Sequence, residues 1–478
     1  MPPDSATIVA AIEQSLVEAI AHAEPSVVAV SRKPPAASPP VETLPGDVFN
    51  DLRAASKPKT GDAVVGAGVI IDRAGLVLTQ YLAVHEGDTH AVTTTDGKTY
   101  PATIRAADPR SGLAILALDP TSPLQRPGND GNVPNTFPAI RFAADSSLRK
   151  GQFVIAIGNP FAIEADGEPT SSWGIITNLA GKAPTGTNLN DTPGPYNDYR
   201  TTLHHLGALI QTDAKLGWNA GGGALVNLRG ELVGITTTAA TIAGHEQPAG
   251  YAIPLNATIR RVIDTLKQGR EVEYGMLGIG FGPPMVLGNV PNNADARSQL
   301  SVSQVYPGGP AARDGLANGD IITSINNQPV DNIDSVQLAV SALTPGAATE
   351  VAYERAGRAS TATVTLAKLA VVGQSIATVR SEPWLGMRVD YATALDDNEL
   401  AQAISSGAFD DQGCVRVSEV EPDSEAWSAG VRPGMFISHV ADKRVSTPSE
   451  FRAAVRSVKS VADLKFTKPL IIDSGDSD

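Results

Sequence analysis

A mainly β protein with more than one domain is predicted by three observations. The chain has 478 residues, more than one hydrophobic core organises, so roughly two to four domains are expected. Short apolar segments recur at regular spacing between turns supplied by 45 glycines and 35 prolines, a pattern of barrels and sandwiches. One stretch also repeats: Gly315-Leu-Ala-Asn-Gly-Asp-Ile-Ile322 returns as Gly430-Val-Arg-Pro-Gly-Met-Phe-Ile437. A duplicated unit is the simplest source of such a repeat.

The elements follow in order. Ile8, Ile12, Leu16 and Ile20 recur every four residues, with Glu13, Gln14 and Glu18 between them. This predicts an amphipathic helix within residues 1–25, neither a secretory leader nor a membrane span. The sequence as written carries no export signal, so its face-value location is the cytoplasm. Strands are expected at Ser26–Ser31, Gly66–Ile71, Leu76–Thr79, His90–Thr94, Thr99–Arg105, Leu113–Leu118 and Phe153–Ile157. Further strands are expected at Gly174–Thr177, Ala208–Gln211, Ala224–Asn227, Leu232–Thr236 and Ala249–Ile253, before a helix over Ala257–Gln268. Residues 33–60 are rich in Pro, Ala and Lys and read as a long loop. Together these give a β domain over 26–272. The repeats span 275–370 and 381–470, each with a helix (Ser335–Leu343, Ser449–Val458), and the tail Ser474–Asp478 reads as a disordered end.

Charge and composition exclude several functions. Fifty-one acidic against 37 basic residues give a net charge of −14, which disfavours nucleic acid or an anionic membrane as partner. The single cysteine, Cys414, permits no intrachain disulfide and reads as a core residue. The seven histidines are scattered with no metal-binding spacing, so neither a metal nor a cofactor is expected.

Several segments in the right order then resemble the HtrA/DegP family. Gly66-Ala-Gly-Val-Ile-Ile-Asp72, Ala156-Ile-Gly-Asn-Pro-Phe161, Trp173-Gly-Ile-Ile-Thr177, Ile210-Gln-Thr-Asp-Ala214 and Gly250-Tyr-Ala-Ile-Pro254 carry it. The resemblance covers almost the whole chain. It implies a mainly β architecture, a chymotrypsin-like double β-barrel followed by two PDZ-like α+β domains. It also implies a homo-oligomer, commonly a trimer in relatives, and a place in the periplasm or cell envelope.

A serine protease of that class needs a hydroxyl, an imidazole and a carboxylate acting together. By the resemblance the histidine falls on Leu82, the aspartate on Gly112 and the serine on Gly221, within Asn219-Ala220-Gly221-Gly222-Gly223. None of the three can move a proton or attack a carbonyl. Asn219, Ala220 and Gly221 are what remains of the oxyanion loop, and a glycine at 221 gives that loop extra conformational freedom. His85, Ser111, Ser171 and Ser172 are the nearest groups for a relocated site. His85 reads first as a surface histidine beside Glu86. Asp213 reads as a loop anchor, and Trp218 as a residue filling space over the cleft or simply packing.

PDZ-like domains bind a chain end by strand addition, with the terminal carboxylate held by amides of a glycine-containing loop. Leu277-Gly278-Ile279 and Leu385-Gly386-Met387 take that place by the resemblance. The reading is a pseudoprotease that binds C-terminal peptides or unfolded segments as scaffold, adaptor or chaperone. The alternative is an active serine endopeptidase with relocated catalytic residues.

Overall fold

The computed structural model describes residues 5–33, 63–121, 136–144, 148–182, 201–215, 220–237, 250–281 and 300–467. The loop expected at 33–60 therefore lies almost wholly outside the described residues, and Trp218, Asn219 and the tail lie wholly outside them. Two compact units are present, one of residues 1–272 with 373–379, the other of residues 273–372 with 380–478.

The first unit holds the double barrel. Strands β1 (Val27–Lys33), β2 (Ala63–Asp72), β3 (Leu76–Gln80), β4 (Thr89–Thr93), β5 (Thr99–Asp108) and β6 (Leu113–Leu118) run in the order β5-β4-β1-β2-β3-β6. Pairing of β5 with β6 closes the ring. Its interior is filled by Val28, Val30, Ile70, Val77, Leu116 and Phe137, with Tyr100 edge-on to Phe137 at 5.3 Å. Strands β7 (Phe153–Gly158), β8 (Thr170–Gly181), β9 (Leu209–Thr212), β10 (Ala224–Val226), β11 (Leu232–Thr237) and β12 (Gly250–Pro254) form a second closed barrel. Val154, Ile176, Ile210, Leu225, Val233 and Ala252 fill that one. Closure leaves no long edge in either ring, which is how small barrels avoid unpaired strands.

The expected helices are present. The helix Ser5–Ala23 buries Ala19 and Ala23 and leaves Ile8, Val9, Ile12 and Val17 exposed. The helix Ala257–Lys267 is capped by the Asn256 side chain and buries Ile259, Val262, Ile263 and Leu266, the stripe the spacing calls for.

In the second unit the repeat holds at the level of single hydrogen bonds. Ala311 N–H donates to Leu277 O at 2.9 Å, Val302 N–H to Asp320 O at 2.8 Å, and Gly319 N–H to Val302 O at 2.8 Å. Their counterparts are Ala426 to Leu385 at 3.0 Å, Val417 to Met435 at 2.7 Å, and Gly434 to Val417 at 2.8 Å. The helices begin a little earlier than the pattern suggests, at Ile333–Ser341 behind an Asn332 cap and at Pro448–Ala454 behind a Thr447 cap. Proline at N1 and a capping threonine set that second start. The second copy also carries a helix that periodicity alone missed, Asp397–Ser405, between its strands Met387–Tyr391 and Val415–Val420.

Candidate functional site

The three cleft positions come together through β3 and its continuation. Gln80 ends β3 and pairs with Leu113 of β6. Tyr81 N–H donates to Gly112 O at 2.7 Å, which fixes Tyr81–Ala83 as a single 3-10 turn beside Gly112. Gly221 approaches from the second barrel, where its carbonyl accepts from Ala67 N–H of β2 at 2.9 Å. Gly222 N–H in turn donates to Thr236 O at 2.7 Å. Gly221 and Gly222 are thus held through their backbone by β2 and β11. Ala220 is buried, and its carbonyl accepts from Gly223 N–H and the Thr236 hydroxyl.

The space at two of these positions is occupied. A Cβ placed on Gly221 would lie 2.7 Å from Gln80 Cδ and Nε2, inside van der Waals contact. A Cβ on Gly112 would lie 3.2 Å from His204 Cε1 and closer still to Nε2. Gly112 also has φ +71°, a conformation that side chains rarely adopt. His204 comes from the short 3-10 turn Leu203–Leu206, anchored by Leu203 N–H to Arg110 O at 2.9 Å. Its imidazole is buried and bonds the Ser111 backbone. Burial, helped by the neighbouring His205, pushes its pKa down to about 4. It is therefore neutral at pH 7. Leu82 differs from both, standing 55% exposed.

The candidates for a relocated site are each engaged or buried locally. His85 lies past the 3-10 turn, exposed, with Nδ1 3.7 Å from Asp88. Its neighbour in charge is Asp88 and not Glu86. Ser111 Oγ is fully buried without a hydrogen-bond partner, so no substrate carbonyl reaches it. Ser172 accepts from Lys215 N–H at 2.9 Å, within β8. Asp213 anchors the loop, accepting from Ile175 N–H at 2.7 Å. Among the described residues no group of three or more His, Cys, Asp or Glu is placed to hold a metal.

Gln80 and His204 escaped the sequence reading. Gln80 stands inside a segment matched to the family, where only the following residues drew notice. His204 lies in a polar stretch with no motif, and its role depends on a contact across 92 residues of sequence.

In the repeats, Leu277 is buried while Gly278 turns with φ +74° and Ile279 opens the strand Ile279–Phe281. In the second copy Leu385 and Gly386 both have positive φ, 51° and 85°, before the strand Met387–Tyr391. The strand ladders run with Val302–Val305 and Val415–Val420, and Met387 additionally bridges Trp384. The other flank in the second copy is walled by Phe451 of the helix, edge-on to Trp384 at 6.0 Å.

Comparison with known proteins settles the family. Residues 66–235 match the trypsin-like peptidase domain and residues 301–355 the PDZ domain. The periplasmic serine endoprotease DegP of Salmonella typhimurium is 31% identical over 412 residues, covering 84% of this chain and 74% of that protein. The chain belongs to the DegP/HtrA family. A probable periplasmic DegP-like serine endoprotease of Chlamydia muridarum is 26% identical over 476 residues, covering 94% of this chain and 85% of that one. Among solved structures, the HtrA-type protease AlgW with decapeptide is similar, with a TM-score of 0.50 and 25% identity over 74% of this chain and 98% of that chain. The DegP/HtrA relatives are named periplasmic, so the cytoplasmic face-value reading finds no support. No helix among the described residues is long and apolar enough to cross a membrane.

Proposed function

We propose that this DegP/HtrA protein is a pseudoprotease of the cell envelope that binds the C-terminal ends of peptides or unfolded chains without cutting them. The observation that carries this reading is the occupied space at Gly112 and Gly221. His204 and Gln80 stand, respectively, where by the resemblance the side chains of an aspartate and a serine would begin. A cleft that had merely lost its catalytic groups would leave room for them. In subtilisin, a different protein that sets the scale for such losses, removal of the whole triad lowers turnover by about 10⁶. That is roughly 8 kcal/mol of barrier. His204 does not replace them, since a buried imidazole with a pKa of about 4 is a weak base, and the Ser111 hydroxyl is sealed.

Binding is assigned to the repeats because its chemistry needs only backbone. An incoming strand adds to Ile279–Phe281 or Met387–Tyr391, and the terminal carboxylate meets amides of the turn Leu277–Ile279 or those of Leu385 and Gly386, the Met387 N–H being bonded to Trp384 O. That the solved AlgW relative is a complex with a decapeptide supports peptide capture in this family. A homo-oligomer, a trimer as in relatives, belongs to the same proposal.

The test uses the full chain with unfolded casein and a fluorophosphonate serine probe. No cleavage and no stoichiometric label are expected. Cleavage abolished by the probe, with one serine labelled, would establish the relocated enzyme instead. A C-terminal peptide library should yield ligands that lose binding on amidation of the terminal carboxylate. Equal binding after amidation would remove the carboxylate-loop assignment.

A further inference from the structure

The segment that joins the two repeats in sequence, Gly373–Val379, belongs to the first unit. Ile376 and Ala377 pair antiparallel with Ala107 and Ala106 on the outer edge of β5. Around this short ladder, Tyr81 Oη donates to Gln374 O at 3.0 Å, Thr378 Oγ1 to Arg105 O at 2.8 Å, and Val379 N–H to Gly269 O at 2.8 Å. The Gln374 amide bonds the Glu86 carboxylate, and Ile376 packs against the core of the first barrel.

We propose that the outer edge of β5 is a strand-acceptor site for an extended polypeptide, and that Gly373–Val379 is its resident, exchangeable strap. Three arguments carry it. The ring is already closed by β5 pairing with β6 at Ala106 and Ala107, so the barrel does not need the strap. Without it, this stretch of β5 presents unpaired backbone groups, a template for any extended chain. The strap is also weakly held. Two ladder pairs and a few side-chain bonds return about what the ordering of seven residues costs, so its closed and open states lie close in free energy. Local opening of such an element is cheap compared with global unfolding.

The resident segment defines the ligand. An aliphatic β-branched residue fills the place of Ile376 against the barrel core. Two residues earlier, an amide or ammonium group meets Glu86, as Gln374 does. This site is separate from the carboxylate loops and does not rest on them.

The test uses a fluorescein-labelled peptide, Gly-Gln-Ser-Ile-Ala-Thr-Val, amidated at its C-terminus so that a carboxylate loop has nothing to hold. The receptor is the full chain with Ala107→Cys and Ile376→Cys. Residues directly opposite in an antiparallel pair are within disulfide reach, and Cys414 is buried. The reduced protein should bind the peptide, and the oxidised, locked form should bind it at least about tenfold more weakly. Equal binding by both forms, or none by the reduced form, overturns the site. On the unaltered chain, amides of Ser375–Thr378 should exchange at least about 100-fold faster than those of the β1–β2 ladder. Equal protection would make the segment a permanent strand and end the proposal.

Discussion

Two regions of this molecule have diverged in contrasting ways. At the cleft, Gly112 and Gly221, placed by the resemblance where the family has a carboxylate and a hydroxyl, are faced closely by His204 and Gln80. Between the repeats, Asp320 of one copy is matched by Met435 in the other, yet both accept the same backbone bond, from Val302 and from Val417. Chemistry carried by side chains is lost when the residue changes. A binding mode carried by backbone amides survives wide substitution, provided the turn keeps its conformation. In the proposed reading the protein retains the second kind of function and not the first.

The largest expected effect that sharpens this contrast is a pH effect. His204 has a pKa of about 4 in the folded chain against 6.5 for an ordinary histidine. Its contribution is therefore complete above pH 6.5 and lost as pH falls towards 4, because the unfolded chain takes up the proton first. The difference corresponds to about 3.5 kcal/mol at about 1.4 kcal/mol per unit. His90 is shifted down in the same direction by burial, so the comparison must be with His204→Leu and not with zero slope. Urea midpoints at about pH 7.5 and about pH 4.5 should differ more for the parent than for that variant.

Gly112→Asp comes next, at about 2 kcal/mol, from overlap with His204 and the left-handed backbone. Adding His204→Gly should recover about 1 kcal/mol or more in a double-mutant cycle. Strict additivity would mean that the imidazole does not occupy the site. On the other side of the comparison, Gly386 has φ +85° and faces the Ser424 side chain, with Oγ at 2.5 Å from a built Cβ. Gly386→Ala should cost about 1–2 kcal/mol. It should also remove peptide binding by the second copy while leaving the first unchanged, as isolated peptide titrations would read. The smallest effect belongs to Leu82→His. That position is exposed, so stability should move by less than about 0.5 kcal/mol and casein should remain uncut.

The double barrel was legible because its strands are short apolar runs bounded by turns, with Leu113–Leu118 matched to the residue. β8 runs longer than expected, Thr170–Gly181, since it pairs with both β7 and β9 beyond the apolar centre Gly174–Thr177. The helix Asp397–Ser405 could have been found. Its Asp396 cap accepts from Glu399 N–H at 2.8 Å, and Asp followed three residues on by Glu is a helix-start signal. The proposal's triad positions at Leu82, Gly112 and Gly221 rest on the resemblance. The fillers Gln80 and His204 were not legible, because which side chain enters a vacated space depends on the folded neighbours. The strap was invisible for a related reason: a ladder of two residue pairs leaves no periodicity in sequence.

The strap also sets an order of events during synthesis. Ala107 and Ile376 are about 270 residues apart, so at roughly 5–20 residues per second the edge of β5 waits roughly 15–55 s for its resident strand. Throughout that interval the first barrel can close, but this edge stands open on the emerging chain. The protein therefore passes its own assembly with the acceptor site unguarded, and completion of the first repeat is what brings the guard within reach.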